Sequence, residues 1–507
     1  MHSVFDHGTA PNVSNAFNMA AHVLRCANQA PTKPALEILT PDGATILTYQ
    51  QLERSIRGIA TGLLNRGLSA GDRVLLRLDN TPEFPLAYLA CIAVDLVPVP
   101  TAAQLTGHEV EKLCKTVNPS LIIASPGVPL PEASVCDVIF AETLVTYHDL
   151  PPAEFALGDP NRLAYIIFTS GTSGVQRAVC HAHRAILARQ MMFDGWYGLN
   201  RDDRVMHAGA FNWTYTLGTG LMDPWTMGAT ALIPQPGTPA SALFELLNTH
   251  RATIFAAAPG VYRQMLKGDT QLKMPHLRHG LSAGEKLPED LRADWEHATS
   301  TPIFEAFGMS ECSTFISGAP DRPAPLHTLG RPQNGRRVAV LAADGQPAPL
   351  GSEGELAVST DDLGLMLGYL NAEAETKSRT SGQWFRTGDS ASMDQSGAIT
   401  YHGRTDDMMN AGGFRVSPIE VESALIQHGD VQECAVVEVQ VKADVSVIAA
   451  FYVSQSDPGA SVLEQWLSGQ LARYKMPRIF TAVTEIPRGA NNKILRRKLR
   501  EEWEENH

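Results

Sequence analysis

Between residues 48 and 67 the apolar positions Leu52, Ile56, Ile59, Leu63 and Leu64 recur on one helical face. Thr48 and Gln51 ahead of them have capping-box spacing and Gly67 closes the run, which predicts an amphipathic helix. A short apolar run at 73–78, a helical stretch to about Val94 and a second apolar run at 96–99 follow. The same rhythm continues at 163–168, 229–233, 253–257 and 303–306. Helices alternating with brief hydrophobic strands predict an α/β fold of mostly parallel sheets with flanking helices, here a large N-terminal domain over residues 1–402. Beyond Gly397 the chain turns polar, from Tyr401 to Asp407, and new strands are expected at 434–439 and 445–453. That change predicts a hinge at 403–407 and a small α+β C-terminal domain over 408–507.

Composition narrows the function classes. The chain is 507 residues long, 44% apolar and 19% charged, as a folded protein should be. A net charge of −13 argues against nucleic-acid binding through a basic face. Its 7 cysteines are scattered and form no CxxC pair, so free thiols in a reducing compartment are expected. The N-terminus lacks a basic patch followed by an apolar core, and the uncharged run at 86–94 is too short to span a bilayer. The expectation is a cytoplasmic protein with no integral membrane association.

The first candidate for chemistry is a loop. The strand expected at 163–168 runs into Thr169, Ser170, Gly171, Thr172, Ser173 and Gly174, then Arg177, with a helix expected from about His181. The glycines let the backbone approach an anion, and the hydroxyls and exposed amides supply donors for phosphate oxygens. The spacing is not that of a Walker P-loop. A strand-to-helix junction is where α/β sheets bind ligands. Cys180 and His181 do not suggest a nucleophile, because adjacent side chains seldom point together.

Five more motifs follow. They are Ser282-Ala283-Gly284-Glu285-Lys286, Phe307-Gly308-Met309-Ser310-Glu311, Trp384 to Asp389, Gly403 to Glu422, and Pro487 to Leu499 with Lys493 inside it. With the loop, and in this order, they resemble the signatures of the adenylate-forming superfamily, which includes acyl- and aryl-CoA synthetases, luciferases and peptide-synthetase adenylation domains. Departures occur at Gln176, Arg177, Ala178 and Asn492.

The resemblance implies roles. Thr169 to Gly174 would hold the β- and γ-phosphates of ATP, with Arg177 supplying charge where the family has lysine. Gly284, Glu285 and Lys286 would lie along adenine. Phe307, Gly308 and Ser310 would line the nucleotide, Ser310 reaching the α-phosphate, and Glu311 would serve Mg²⁺, a hard cation that takes carboxylate oxygen. Asp389 would accept hydrogen bonds from the ribose hydroxyls and Arg404 would contact ribose or phosphate. Asp406 would be the hinge, and Gly412 and Gly413, with Arg415 in the same cofactor-binding set, would border the entry of the coenzyme A thiol. Lys493 would neutralise charge at the α-phosphate and withdraw when the small domain turns. Phe211, Asn212, Trp213, Ala283 and Met309 would form the substrate pocket, and Gly308 would leave room for a medium-chain or aromatic acid.

The implied function is an ATP-dependent carboxylic acid–CoA ligase: acyl-adenylate formation, then thioester formation. Its partners are a small carboxylic acid, ATP and coenzyme A, with room for a homodimer. The same motifs allow two other readings. One is a ligase that loads a carrier protein's phosphopantetheine, and the other is a non-catalytic protein that binds nucleotide or acyl-AMP.

Overall fold

The helix expected after Thr48 spans Tyr49–Asn65. Thr48 Oγ1 accepts the Gln51 N–H at 3.3 Å while the Gln51 side chain accepts the Thr48 N–H at 2.9 Å, so the capping box is complete. Leu52, Ile56, Ile59 and Leu63 are buried in a core shared with Glu83–Ala93, a helix apolar all round because it lies inside that core. This is a computed structural model. It describes all residues except Met1, 133–134, 170–176, 268–272, Asp406, 412–413, 443–444, Ala472, 490–493 and His507, and omits the side chains of 410, 411, 414, 415, 442, 445 and 474.

Two sheets carry the expected parallel strands. In the 4-stranded sheet Val97–Pro100, Arg73–Arg77, Leu121–Ala124 and Asp137–Phe140 lie side by side, all parallel. In the 9-stranded sheet the central strands run parallel from Ile303–Met309 through His279–Ala283, Ile254–Ala257, Arg204–His207 and Thr230–Pro234 to Pro34–Thr40, with antiparallel strands at both edges. Beside them stands a 6-stranded antiparallel sheet that includes Arg337–Leu341, Gly354–Ser359, Trp384–Met393 and Ile399–Arg404.

One expected element is wrong. No helix starts at His181; Arg177–Ala182 is a strand that pairs back antiparallel onto Leu163–Thr169, with Thr169 opposite Arg177, and the helix begins at Ala185. The reason is a period of two across two cores: Ala178 and Cys180 face one with Ile166, while Val179 faces another with Ile167. Residues 170–176 therefore join two antiparallel strands, not a strand and a helix, and themselves lie outside the described residues.

The small domain has its own sheet and core. Val431–Lys442 and Val445–Ser454 pair antiparallel and Ile479–Ala482 adds a parallel strand. Val421, Leu425, Val436, Ile448, Leu463 and Leu467 are buried together. The helix Pro418–Leu425 starts where Ser417 accepts the Glu420 N–H, with proline at its first position. The Ser417 hydroxyl also donates to His402 O, tying this helix to the last strand of the large domain. All seven cysteines are free. Among the described residues no helix is long and apolar enough to cross a membrane.

Candidate active site

The C-terminal ends of the central parallel strands open into a cleft of about 1000 Å³, roofed by residues of the small domain. One wall is the turn at Glu311. Ile303–Met309 reverses into Ser313–Ser317, with the register shifting between Phe307 and Gly308. A Cβ at Gly308 would lie 2.4 Å from Ser313 O and 2.6 Å from Thr314 Cα, so the returning backbone demands glycine there. Two bonds fix the turn: His181 Nε2 to Ser310 O at 2.8 Å, and the Met366 N–H to Glu311 O at 2.7 Å.

Glu311 itself is 8% exposed, and its Oε1 accepts the Tyr369 hydroxyl at 2.7 Å. Burial, and then the Glu311 charge, push the Tyr369 phenol well above its usual range, so it stays a donor. The Arg177 guanidinium sits 5.8 Å from the centre of the Tyr369 ring and pairs with Glu375 on the helix Glu373–Ser378. Its charge is thus already met by a carboxylate. Tyr369 and Glu375 were not foreseen. Tyr369 lies on a strand of two residues, Gly368–Tyr369, too short for any periodicity, and reaches Glu311 only by pairing with Val179.

The opposite wall holds Asp389, 4% exposed within Trp384–Met393. It accepts the Tyr401 hydroxyl at 3.2 Å and lies 3.6 Å from Arg404 Nη1, which also donates to Thr387 O at 3.0 Å. Asp389 and Arg404 are register partners on adjacent strands. The Tyr401 ring lies 5.5 Å from that of Phe307, joining this wall to the first.

Between the walls, Gly284 has φ +98° and a Cβ there would lie 2.5 Å from Trp213 Cζ2, so the indole rests against bare backbone. Trp213 in turn meets Tyr215 edge-on at 5.1 Å. Asn212, Trp213, Ala283 and Met309 line the cleft, as do Lys286 and Ser310. Phe211 does not. Asn80 donates to Gly209 O at 2.8 Å and accepts the Phe211 N–H at 2.9 Å, and the Phe211 ring turns into the core against Phe84, fully buried. The expectation that Phe211 lines the substrate pocket is corrected.

From the small domain, Arg488, Ile494 and Arg496 reach the cleft. Arg496 grips both oxygens of Glu422 at 2.7 Å. Ser170 to Gly174, Asp406, Gly412, Gly413 and Lys493 lie outside the described residues; of Arg415 only its place in Phe414–Val416 is described.

This arrangement has no activated nucleophile at the one place where sequence neighbours raised it. Burial lifts the Cys180 thiol to about 11, and desolvation lowers His181 to about 4 with its ring committed to Ser310 O. What it offers instead is carboxylates, cations and donors around a slot with an apolar floor, a chemistry of positioning and charge neutralisation.

A two-domain enzyme, with a large α/β domain and a smaller domain that roofs the cleft at its strand ends, is the class this fold defines. The chain belongs to the AMP-binding enzyme family: that family's model matches residues 23–370, and the model of the AMP-binding enzyme C-terminal domain matches 420–493. The benzoate–CoA ligase of Thauera aromatica is 31% identical over 486 residues, 90% of this chain and 91% of that protein. The mitochondrial acyl-coenzyme A synthetase ACSM3 of Rattus norvegicus is 29% identical over 472 residues, 86% of this chain and 80% of its own length. Among solved structures, a benzoate CoA ligase from Burkholderia xenovorans LB400 superposes with a TM-score of 0.84 at 27% identity, covering 96% of this chain and 100% of that one.

Proposed function

We propose that this protein activates an aromatic or medium-chain carboxylic acid with ATP and passes the acyl group to coenzyme A. The observation that carries the reading is a single cleft where Glu311 and Asp389, each buried and oriented by a tyrosine, flank the apolar surface of Trp213, Ala283, Phe307 and Met309. The aromatic and acyl substrates in the names of its relatives fit that surface.

In the first step a substrate carboxylate oxygen attacks the α-phosphorus of ATP, forming acyl-AMP as pyrophosphate leaves. In the second a thiolate sulfur attacks the acyl carbon and AMP leaves. Asp389 accepts the ribose hydroxyls, held ready by Tyr401, and Arg404 neutralises phosphate beside it. Adenine lies along the backbone at Gly284, with Lys286 near, and Phe307, Gly308 and Ser310 border the nucleotide. Thr169 opens the segment that holds the outer phosphates, through Ser170, Gly171, Thr172, Ser173 and Gly174, and Arg177 closes it while bracing Tyr369. Lys493 supplies the ammonium for the developing charge. Asp406, within a hinge at 403–407, is the pivot, and Gly412, Gly413 and Arg415 border the thiol's approach.

Glu311 suits Mg²⁺. Such a cation keeps waters and phosphate oxygens as its other ligands, so one carboxylate is what it takes from the protein. Tyr369 engages Glu311 Oε1, and Oε2 has no hydrogen-bond partner among the described residues. When bound, the ion would neutralise phosphate charge.

The test is a panel of acids scored for CoA-dependent AMP release. Benzoate or hexanoate should exceed acetate in kcat/KM by about tenfold or more, since each added methylene in an apolar pocket counts about 10-fold or more. Acetate turning over faster than both would overturn the assignment. For the same acid, Trp213→Ala should raise KM about tenfold while leaving KM for ATP unchanged. A shift confined to ATP would place the indole in the nucleotide site instead.

A further inference from the structure

Beside its apolar surface the cleft meets a buried ion pair. Arg189, in the last turn of the helix Ala185–Met192, grips Asp223 through Nε to Oδ1 at 2.8 Å and Nη2 to Oδ2 at 2.6 Å. Tyr197 donates to Asp223 Oδ2 at 2.7 Å, Arg189 Nη2 also donates to Thr219 Oγ1 at 3.1 Å, and Nη1 donates to Ser313 Oγ at 2.7 Å. Of these five residues Arg189 and Ser313 line the cleft, while Asp223, Tyr197 and Thr219 are buried. The guanidinium lies on bare backbone of the π-helical turn Thr216–Met222, where a Cβ at Gly218 would come 2.2 Å from Arg189 Cζ. Two placements put the pair on the acyl side. Ser313 is the register partner of Met309 and its carbonyl presses on Gly308, and the turn that holds Arg189 continues directly from Trp213 and Tyr215.

Asp223, Thr219 and Ser313 take four of the five guanidinium N–H groups, which leaves one on Nη1. The Ser313 O–H likewise has no acceptor among the described residues, and an oxygen that accepts from a cation is a stronger donor through its own hydrogen. Ser313 also holds φ +65°, a left-handed conformation that costs a residue other than glycine and that gathers where ligands bind. Charge decides what these donors take. Asp223 already neutralises Arg189, so a second carboxylate would bring an uncompensated charge into the pocket, whereas a neutral oxygen needs only the two hydrogen bonds.

We propose that Arg189 and Ser313 form a donor subsite in the acyl pocket, which selects acids carrying a neutral oxygen, such as a ring hydroxyl or a keto group, over acids of the same shape with carbon there. An acid without that oxygen leaves both donors facing apolar atoms, which is how a hydrogen-bonding pocket rejects an analogue. The inference deepens the ligase reading above and rests on it.

The experiment is a set of matched acids scored by CoA-dependent AMP release with the wild-type protein. The ortho, meta and para hydroxybenzoates are each compared with the methylbenzoate of the same position. Hexanoate with a keto group on its penultimate carbon is compared with hexanoate carrying a methyl group there. Each pair exchanges oxygen for carbon at nearly constant size. At least one oxygenated acid should exceed its carbon partner about tenfold in kcat/KM, and the benzenedicarboxylates should fall below the best hydroxybenzoate. Ser313→Ala should lower that oxygen-to-carbon ratio about fivefold or more. Poor folding of the variant lowers both members of a pair alike, so the ratio stays informative, and the wild-type panel decides without it. The proposal is overturned by carbon partners that match or exceed every oxygenated acid, by a benzenedicarboxylate that outruns all the hydroxybenzoates, or by a ratio that Ser313→Ala leaves unchanged. Wild type that releases AMP with none of these acids, benzoate and hexanoate included, would sink the ligase reading and this inference with it. Turnover of benzoate or hexanoate with no gain from oxygen would sink only the inference.

Discussion

Glu311→Gln should slow acid-dependent ATP–pyrophosphate exchange by about a thousandfold, the upper range for losing one preorganised electrostatic group. The substitution is well posed. Glutamine keeps the side-chain oxygen that accepts the Tyr369 hydroxyl at 2.7 Å, and the turn is held independently by His181 on Ser310 O and by the Met366 N–H on Glu311 O. Charge is therefore removed with little change of shape. Calorimetric titration with ATP gives a second readout: Mg²⁺ should strengthen ATP binding to wild type far more than to the variant. Tyr369→Phe, which leaves the carboxylate in place, should cost only about tenfold, in line with one hydrogen bond to a charged group. Exchange by Glu311→Gln within fivefold of wild type, or an unaltered Mg²⁺ effect on ATP binding, would remove Glu311 from the metal role.

Why some of this was legible in the sequence and some was not follows from the range of the interactions involved. The helix Tyr49–Asn65 declares itself because its cap and apolar stripe are local. The parallel strands declare themselves through short apolar runs buried on both faces. Asp389 and Arg404 belong to motifs 15 residues apart that register brings face to face, and Glu311 reaches the same cleft from another sheet. A helix is expected from about His181, and only pairing with Leu163–Thr169 and a position between two cores, both set by distant residues, make Arg177–Ala182 a strand instead. Phe211 was placed in the pocket for being aromatic beside Trp213, but Asn80, 131 residues earlier, turns it inward. Tyr369, Tyr401 and the Arg488–Glu285 contact are likewise products of strand register or domain docking, which no local pattern encodes.

Acid should unfold this protein cooperatively, well before ordinary carboxylates are protonated. Five histidines are held neutral by burial: His183 and His207 are lowered to about 3, and His22, His181 and His279 to about 4, from 6.5. Desolvation leads in every case, and nearby arginines add to it for all five. Geometry agrees, since His183 Nδ1 accepts the Met19 N–H at 3.1 Å and both ring nitrogens of His207 lack partners among the described residues. The unfolded chain takes up these protons near pH 6.5 and the folded chain resists, so stability present above 6.5 is lost as pH falls toward 4. At about 1.4 kcal/mol per pH unit for each proton, five such groups approach about 7 kcal/mol per unit near pH 5, comparable to the whole stability of an ordinary fold, about 5–15 kcal/mol. Two buried carboxyls oppose them, Glu305, raised to about 7 by burial, and Glu422, raised by burial, but they are two groups against five and their effect is spent as pH falls through their unfolded values. The urea midpoint, followed by circular dichroism from pH 8 to pH 4, should fall steeply below about pH 6. Because His181 holds Ser310 beside Glu311, adenylation should fail no later than the fold does. A urea midpoint that stays level down to pH 4 would refute the argument.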